Sequence, residues 1–464
     1  MRLYNTLSRK IEEIIPQKNN SLSFYSCGLT VYDYAHIGHG RKYVNDDILK
    51  RTLQYLGFKV NHVMNVTDVG HLVSDGDEGE DKLEKGAKKY SKTVWDIAKF
   101  YTEDFLASLK KLNSIPPDTL CKATEHIPQM ISLIKTLEEK GFTYNTPEAV
   151  YFDTSKFIKY GQLSGQKLED KIQKARKEVH VDPNKKHPTD FALWFKRIGR
   201  FVDHAMHWES PWGDGFPGWH IECSAMSMHY LGETIDIHSG GVDLIPVHHE
   251  NEIAQSEAAT GKQFVRYWFH SNFLMVGGIK MSKSLNNFYT IDDIVKKGFS
   301  PIALRYLYLQ THYRQMMNFS EDALSASENA LNKLHATVSQ LRAQKDENEQ
   351  SHDLINTFRS SFKSALEDDL QMSQALAVMY DMLKSNISSS DKLNLLYEFD
   401  DVLGLGLRDT EDVIIPKEIT ELANRRQKAK ESKDYSASDI LRDRIVSGGY
   451  SIEDTSEGFI IRKA

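Results

Sequence analysis

The chain has 464 residues and a formal net charge of −7, with 40% hydrophobic and 27% charged residues. This balance is typical of folded globular proteins, and it excludes collagen-like and wholly disordered chains. Because single cores stop growing at about 250–300 residues, the length predicts roughly two to four domains. The acidic balance means that a nucleic-acid partner would have to meet local basic patches.

Cysteine content and hydropathy predict where the protein works. The chain has only Cys27, Cys121 and Cys223, and an odd, low count favours a reducing compartment over a disulfide scaffold. No apolar run approaches the roughly 18 residues that a membrane helix needs. The first residues also lack the apolar core of a signal peptide. We therefore expect a cytoplasmic protein without a membrane partner. The residue patterns do not determine the oligomeric state, for which a monomer is our hypothesis.

The N-terminal part has the pattern of a βαβ unit. Residues 21–26 alternate polar and apolar side chains like a strand, and the pattern breaks at Cys27 and Gly28. Residues 41–56 predict an amphipathic helix, and residues 58–66 predict the next strand. This order of elements favours a parallel sheet.

The remaining chain changes character twice. Residues 96–141 have a helical pattern with a break at Pro116 and Pro117, and residues 160–210 are polar and basic like an insertion or loop region. Residues 321–403 lack Gly and Pro and carry apolar side chains at helical spacing, which predicts a helical bundle. The tail predicts two charged helices and a small hairpin. Between these parts, the pattern predicts helices at 220–231, 250–260 and 291–297, and strands near 234–238 and 268–276.

A short motif, His-Ile-Gly-His, lies between the first predicted strand and helix. At such a turn, free backbone N–H groups and the helix dipole favour an anion. Gly38 leaves room for a base or phosphate near the backbone, and His36 and His39 can donate hydrogen bonds to phosphate oxygens. A surface turn with chance histidines is the alternative.

A second motif, Lys-Met-Ser-Lys-Ser, occupies residues 280–284 after a pair of glycines. Lys280 and Lys283 on such a loop can clamp a leaving pyrophosphate and stabilise charge that grows in the transition state. A solvated basic loop is the alternative. Because both motifs occur together in an α/β frame, coincidence is improbable.

The two motifs resemble the HIGH and KMSKS motifs of class I aminoacyl-tRNA synthetases. Three stretches resemble the cysteine-specific members of that family: FYSCGLTVYD (24–33), PGWHIECSAM (217–226) and HHENEIAQ (248–255). The resemblance extends from residue 3 to the tail. It implies a ligase that forms cysteinyl-adenylate from L-cysteine and ATP, with magnesium, and transfers cysteine to the 3′ end of tRNA(Cys).

The resemblance also implies a domain organisation of α/β class. Residues 1–317 would form a Rossmann-like parallel-sheet catalytic domain, with an insertion at about 110–210 and the KMSKS loop region at about 268–317. Residues 318–408 would form the helical bundle, and residues 409–464 a small α+β module that recognises the anticodon.

Four scattered side chains are of types that zinc accepts: Cys27, Cys223, His248 and Glu252. His248 and Glu252 lie about one helical turn apart on one face. From the residues alone, two core cysteines and a polar helix face are the preferred interpretation, because no tight Cys-x-x-Cys pair is present. The resemblance implies instead that the four side chains bind one zinc ion, which the substrate sulfur joins.

Zinc would explain how cysteine is chosen over serine. A thiolate forms near neutral pH and is a soft ligand, whereas a hydroxyl does not ionise there. A pocket that sensed only size would discriminate by roughly a hundredfold. The resemblance implies that Thr67 and Trp219 line this pocket beside Cys27; for Trp219, a plain core aromatic is the alternative. Cys121 matches no motif and is expected to be structural.

The resemblance assigns the nucleotide to a further set of residues. Asp243 follows a Gly-Gly pair that resembles the family's ribose-binding segment, with a simple turn as the alternative. Catalysis is assigned to His36, His39, Lys280 and Lys283. ATP binding is assigned to His36, Gly38, His39, Asp243, Lys280 and Lys283.

The tail carries basic residues that could contact RNA phosphates: Arg425, Arg426, Lys428, Lys430, Lys433, Arg442 and Arg444. Neighbouring acidic residues make a salt-bridged surface helix the competing interpretation.

Two regions depart from the family pattern. Residues 75–81 form an acidic stretch that we interpret as a solvated loop, and residues 196–208 are slightly expanded.

Two other functions stay open. A related ligase that joins activated cysteine to an amino sugar would share the zinc and ATP motifs, but the intact tail argues against it. A catalytically idle paralogue that binds RNA would have broken motifs, whereas both motifs and all four ligand residues are present.

Overall fold

The structure is a computed structural model that describes residues 1–70, 81–165, 184–282, 285, 287–344, 352–410, 416–455 and 458–463. Its strands are β1 (Arg2–Asn5), β2 (Lys10–Glu13), β3 (Ser21–Ser26), β4 (Lys59–Val66), β5 (Thr119–Lys122), β6 (Thr143–Asn145), β7 (Ala149–Phe152), β8 (Phe191–Lys196), β9 (Gly215–Pro217), β10 (Ile235–Gly241), β11 (Val265–Ser271), β12 (Leu274–Val276), β13 (Ile279–Lys280), β14 (Met317–Phe319), β15 (Tyr450–Thr455) and β16 (Gly458–Lys463).

Its helices are α1 (Ile37–Tyr55), α2 (Lys82–Tyr90), α3 (Val94–Lys111), α4 (Ile127–Glu139), α5 (Trp219–Leu231), α6 (His248–Thr260), α7 (Ile291–Lys296), α8 (Pro301–Leu309), α9 (Glu321–Ala343), α10 (His352–Glu367), α11 (Met372–Lys384), α12 (Ser389–Leu403), α13 (Lys417–Glu431) and α14 (Tyr435–Ser447). Within the described ranges, none of these helices combines the length and apolarity that crossing a membrane requires.

A five-stranded parallel sheet in the order β11-β10-β3-β4-β5 forms the centre of the molecule. The predicted βαβ unit is confirmed: β3 and β4 pair in parallel and α1 connects them. The chain adds strands outward from β3 on one side and then returns to the other side through β10. In such doubly wound sheets, ligands bind beyond the carboxyl ends of the strands where the order reverses. In this sheet, the strand order reverses between β3 and β10.

The helical interpretation of residues 96–141 is wrong in its middle. The chain forms α3, then β5, then α4, and β5 pairs in parallel with β4 as the edge of the central sheet. The pair Pro116 and Pro117 precedes this strand and ends the helical stretch, as proline does. Four antiparallel strands, β6 to β9, then form a separate sheet between Thr143 and Pro217. This sheet lies within or close to the predicted insertion at 110–210.

The predicted helical bundle is present as α9 to α12. One continuous apolar core joins it to the central sheet, and this core includes Phe24 of β3, Ile48 of α1, Leu304 of α8 and Phe399 of α12. Because α1 packs against α12, the helix that begins at the HIGH motif rests on the bundle. The predicted boundary at residue 318 therefore lies within one continuous apolar core.

The tail has its own small core. Helices α13 and α14 and the hairpin β15–β16 bury Ile419, Leu422, Leu441, Ile445 and Ile452 against one another. This confirms the two helices and the hairpin that the pattern predicts.

Candidate active site

A cavity of about 500 Å³ opens at the carboxyl edge of the central sheet. The strands bring its walls together, because β3 ends just before Cys27, β10 ends just before Asp243, and β11 ends just before the segment that leads to Lys280. Seven of the residues selected from the sequence line it: Cys27, His36, Gly38, His39, Trp219, Asp243 and Lys280.

The HIGH motif forms the N-terminus of α1. His36 caps the helix, and each histidine accepts a backbone N–H from the other: His39 donates to His36 Nδ1 at 3.1 Å, and His36 donates to His39 Nδ1 at 3.3 Å. The two rings stack with centroids 3.6 Å apart. Because both Nδ1 atoms accept, a neutral ring carries its proton on Nε2. Both Nε2 atoms are then hydrogen-bond donors.

The HIGH rings are neutral at physiological pH. Burial lowers the pKa of His36 to about 4, assisted by the positive charge of Lys280. Burial also lowers the pKa of His39, and the neighbouring His36 adds to this shift. The motif therefore presents two neutral N–H donors at a helix N-terminus, an arrangement suited to phosphate oxygens.

The KMSKS motif approaches the HIGH motif from the opposite wall. Lys280 and Met281 line the cavity, and a Cβ at Gly38 would lie 2.9 Å from the Met281 Cε atom. A Cβ there would also lie 2.9 Å from Cε1 of the capping His36 ring, so a larger residue at position 38 would displace that ring as well as the Met281 methyl. Beyond the loop, Ile37 donates a hydrogen bond to the Tyr289 carbonyl at 2.9 Å. Lys283, the other lysine assigned to catalysis, lies outside the described residues.

Behind one wall of the cavity, the four side chains expected to bind zinc form a buried cluster. Their ligand atoms lie within 4.8 Å of one another. Cys27 comes from the end of β3, Cys223 from α5, and His248 and Glu252 from successive turns of α6. Residues separated by nearly 200 positions thus converge because β3, α5 and α6 pack together at the same sheet edge.

The distances fit a four-coordinate metal. The Cys27 and Cys223 sulfurs lie 3.7 Å apart, too far for a disulfide, whereas tetrahedral zinc with Zn–S bonds of about 2.3 Å separates two sulfurs by about 3.8 Å. Glu252 Oε1 lies 3.8 Å from the Cys27 sulfur and 3.0 Å from His248 Nε2. The donor set of two sulfurs, one imidazole and one carboxylate also matches zinc.

The charges in this cluster depend on one another. A hydrogen bond from Cys27 lowers the pKa of Cys223 to about 6, while burial raises the pKa of Cys27. Burial disfavours protonated His248, but the charge of Glu252 and the nearby Cys223 raise its pKa to about 10. Burial likewise opposes ionised Glu252, yet His238 and His248 lower its pKa to about 2. Without metal, the cluster therefore contains a thiolate, a carboxylate and an imidazolium.

A second layer of imidazoles orients these ligands. His238 Nε2 lies 2.9 Å from Glu252 Oε2, and His220 Nδ1 lies 3.0 Å from His248 Nδ1. Such outer contacts fix the orientation of metal ligands. His249 Nε2 lies 3.5 Å from the Cys27 sulfur, so Cys27, His238, His249 and Glu252 make a second possible ligand group. Sequence reasoning missed these histidines, although His220 and His249 lie inside stretches that carry the resemblance.

The remaining predicted site residues have different surroundings. Trp219 is half-buried, and its ring centroid lies 4.3 Å from that of His248. Asp243 is exposed at the rim. Thr67 is buried, accepts a hydrogen bond from Asn65 and bonds to Glu222. Among the described residues, Thr67 does not belong to the cavity lining.

The two regions that depart from the family pattern contact each other. Residues 71–80, which include all of the acidic stretch except Asp81, lie outside the described residues. The solvated-loop interpretation is wrong for Asp81, which is buried, caps α2 and lies 3.1 Å from His204 in the expanded segment. Glu84 accepts the Ala205 N–H at 2.8 Å. These contacts connect the start of α2 to residues 204–205.

Comparison with known proteins identifies the family. Residues 13–329 match the model for the catalytic domain of class I (C) tRNA synthetases. A cysteine–tRNA ligase of Treponema denticola is 44% identical, over 98% of each chain. Cysteine–tRNA ligase 1 of Burkholderia lata is 42% identical, over 99% of this chain and 96% of its own length.

Solved structures agree on the fold. Mycobacterium tuberculosis methionyl-tRNA synthetase, in complex with methionyl-adenylate, superposes with a TM-score of 0.58 at 15% identity, over 90% of this chain and 96% of that chain. The chain thus has the fold and the catalytic domain of a class I tRNA synthetase, which is a ligase. Within that class, the chain belongs to the family defined by the class I (C) catalytic domain.

Proposed function

We propose that the chain is a cysteine–tRNA ligase that forms cysteinyl-adenylate and transfers cysteine to the 3′ end of tRNA(Cys). One observation carries the proposal: Cys27 belongs both to the metal-ligand cluster and to the wall of the cavity that contains the HIGH motif. A cysteine whose sulfur reached the metal would therefore have its carboxylate in the same cavity as ATP. The names of the similar proteins, cysteine–tRNA ligases, support this substrate.

In this proposal, Cys27, Cys223, His248 and Glu252 bind one zinc ion. When bound, zinc supplies a soft Lewis acid that stabilises the substrate sulfur as a thiolate. Because Cys27 lines the cavity, the substrate sulfur would bind at the cavity wall. The half-buried Trp219 restricts the space around the amino acid. Serine would fit by size, but its hydroxyl would remain protonated and bind weakly.

The adenylation step follows from the opposite side of the cavity. The cysteine carboxylate attacks the α-phosphorus of ATP, the bond to the bridging oxygen breaks, and pyrophosphate leaves. Magnesium bound to the phosphates would help to neutralise their charge. His36 and His39 donate their Nε2 protons as hydrogen bonds to phosphate oxygens, while Lys280 and Lys283 neutralise the leaving pyrophosphate. Gly38 lets the base or phosphate approach α1 closely, and Asp243 contacts the ribose.

The second step uses the RNA. The terminal adenosine of tRNA attacks the adenylate carbonyl through a ribose hydroxyl, and AMP leaves.

The tail would recognise the anticodon through those basic residues that are not engaged in ion pairs within the tail. Exposed side chains remain at Arg425, Lys428, Lys433, Arg442 and Arg444. In contrast, Arg426 and Lys430 both pair with Asp454, at 2.6 and 2.8 Å, which favours a structural role for these two.

The proposal is tested by charging unfractionated tRNA with labelled cysteine in the presence of ATP. Labelled serine is the matched substrate control, and a sample stripped of zinc by a chelator and then supplied again with magnesium tests the zinc site. We expect cysteine to be charged, serine to be inert, and chelation to abolish charging. Cysteine-dependent ATP–pyrophosphate exchange without tRNA charging would indicate the amino-sugar ligase instead. The absence of both reactions would indicate the idle paralogue.

A further inference from the structure

Lys42 is a basic residue inside the cavity that neither sequence motif includes. It lies one turn after His39 on α1 and lines the cavity together with Cys27 and His39. Only 12% of its side chain is exposed. A lysine is rarely buried this deeply without a specific contact, because removing an ammonium from water is costly.

The contact that Lys42 makes is with the backbone of a metal ligand. Its Nζ donates a hydrogen bond to the Cys27 carbonyl at 2.7 Å. The Tyr43 hydroxyl donates to the same oxygen at 3.3 Å. Cys27 follows the last residue of β3, and its N–H donates to the Ser239 carbonyl at 3.0 Å. The side chains of α1 thus satisfy a carbonyl just beyond the end of the strand.

Asp46 forms an ion pair with the ammonium. Its Oδ2 lies 2.8 Å from Lys42 Nζ, one helical turn further along α1. The ammonium also lies 4.3 Å from the centre of the Tyr43 ring, within cation–π range. Successive turns of one helix therefore carry His39, Lys42 and Asp46. The geometry of α1 fixes the HIGH motif and the Cys27 backbone relative to each other.

The charge of Lys42 matches a deficit in the site. Cys27, Cys223 and Glu252 contribute three negative charges as metal ligands, and a divalent ion compensates only two of them. A substrate thiolate would add another negative charge to a buried site, where uncompensated charge is costly. Asp46 offsets part of the ammonium's charge, but the ammonium is the end of this ion pair that contacts the Cys27 carbonyl, so the pair still favours negative charge at the site.

We propose that Lys42 is a positioning residue of the cysteine site. Its ammonium fixes the Cys27 carbonyl, sets the first metal ligand relative to the HIGH motif, and favours the arriving thiolate. This inference rests on the proposed function. It concerns cysteine rather than ATP, because the contact of Lys42 is with Cys27 and not with the motif histidines.

The test compares three substitutions in the full-length, zinc-loaded protein. Lys42→Met removes the charge and the donor, Lys42→Gln keeps a donor without the charge, and Lys42→Arg keeps both. Lys50→Met is the matched control, since Lys50 is buried on the same helix but donates to the Pro116 carbonyl, away from the cavity. Zinc content, cysteine affinity by calorimetry, and the KM for cysteine and for ATP in pyrophosphate exchange are measured.

We expect Lys42→Met to retain zinc, to weaken cysteine affinity and raise its KM by about tenfold, and to change the KM for ATP by less than about twofold. Lys42→Gln should shift cysteine binding in the same direction, Lys42→Arg should restore most of it, and Lys50→Met should leave it unchanged. Unaltered cysteine affinity in Lys42→Met and Lys42→Gln, or equal losses for cysteine and ATP, would overturn the inference. Absence of cysteine-dependent exchange in the unsubstituted protein would instead refute the proposed function.

Discussion

At the scale of single residues, the two ring nitrogens of each HIGH histidine have different roles: one accepts a hydrogen bond and the other donates one. Nδ1 accepts a backbone N–H that caps α1, and Nε2 carries the proton that faces the cavity. The sequence predicts the phosphate contact, but not that the two rings cap the helix reciprocally. That arrangement depends on the extended backbone at His36 and on the stacking of the rings.

Amide side chains can separate these two roles. His39→Asn keeps an acceptor near Nδ1 but loses the outer donor, so adenylate formation should slow by about 10²–10³ with little change in stability. His39→Gln can place an amide donor near Nε2 but loses the cap, so it should slow the reaction less and destabilise the protein by about 1 kcal/mol. Pre-steady-state adenylate formation and urea unfolding measure the two effects. The opposite ranking for both measurements would contradict the assigned roles.

The metal ligands predict how zinc binding depends on pH. In the metal-free protein, Cys27 is a thiol because burial raises its pKa, and His248 is protonated because its pKa is raised to about 10. Both must lose a proton to bind zinc, whereas Cys223 and Glu252 are already ionised near neutral pH because their pKa values are lowered to about 6 and about 2. Zinc binding at about pH 7.5 should therefore release about two protons.

The direction in which zinc affinity changes with pH follows from these pKa shifts. Zinc affinity should rise as the pH is raised from about 7 towards 9, because fewer protons then have to be displaced. Titration calorimetry in buffers of different ionisation enthalpy measures the protons directly. A Cys121→Ser variant serves as the control, because Cys121 lies outside the four-residue cluster, and it should release the same number of protons. Zinc binding without proton release would show that the four groups are not the ligands.

At the scale of elements, α1 connects the two motif regions through a buried arginine. Arg41 is 1% exposed and donates to the carbonyls of Asn272, Phe273, His312 and Gln315 at 2.7–3.0 Å. Burial lowers its pKa to about 10, so it remains charged at neutral pH. The HIGH helix is thereby fixed to the segment between β11 and β12, which leads to the KMSKS loop.

Arg41→Met would leave these carbonyls without their donor. Since a buried unpaired polar group costs about 1–3 kcal/mol, we expect a loss of roughly 3 kcal/mol in the free energy of unfolding. Urea unfolding measures this loss. Arg2→Ala is the control, because Arg2 makes an exposed ion pair with Asp368, and it should change stability by less than about 1 kcal/mol. Equal losses in the two variants would contradict the anchoring role of Arg41.

Local patterns predict the elements of this chain unevenly. The strand at 21–26 and the bundle helices follow from periodicity, because their buried faces are regular. Helix α1 begins at Ile37 rather than at residue 41, since its cap is a histidine, which is not a usual helix-start signal. The four residues of β5 are too few to show alternation, so the surrounding helical pattern predicts a helix there. Only pairing with β4 makes it a strand.

At the scale of the whole molecule, the order of strands in the central sheet brings the site residues together. Local sequence patterns do not reveal that order. The four side chains of the proposed zinc site could be predicted only through the resemblance, because Cys27 and Cys223 are separated by 196 positions. The order of the central sheet places the ends of β3 and β10 side by side. The supporting histidines and Lys42 lie at the same place, and their roles depend on distances that residue patterns do not encode.

The central claim is that the substrate sulfur binds the metal held by Cys27, Cys223, His248 and Glu252. Zinc X-ray absorption of the loaded protein tests it directly, with and without cysteine, and with serine as the control. The account predicts two sulfur ligands in the free protein, from Cys27 and Cys223, and one additional sulfur near 2.3 Å after cysteine is added. Serine should leave the spectrum unchanged. An unchanged sulfur count with saturating cysteine would contradict the account.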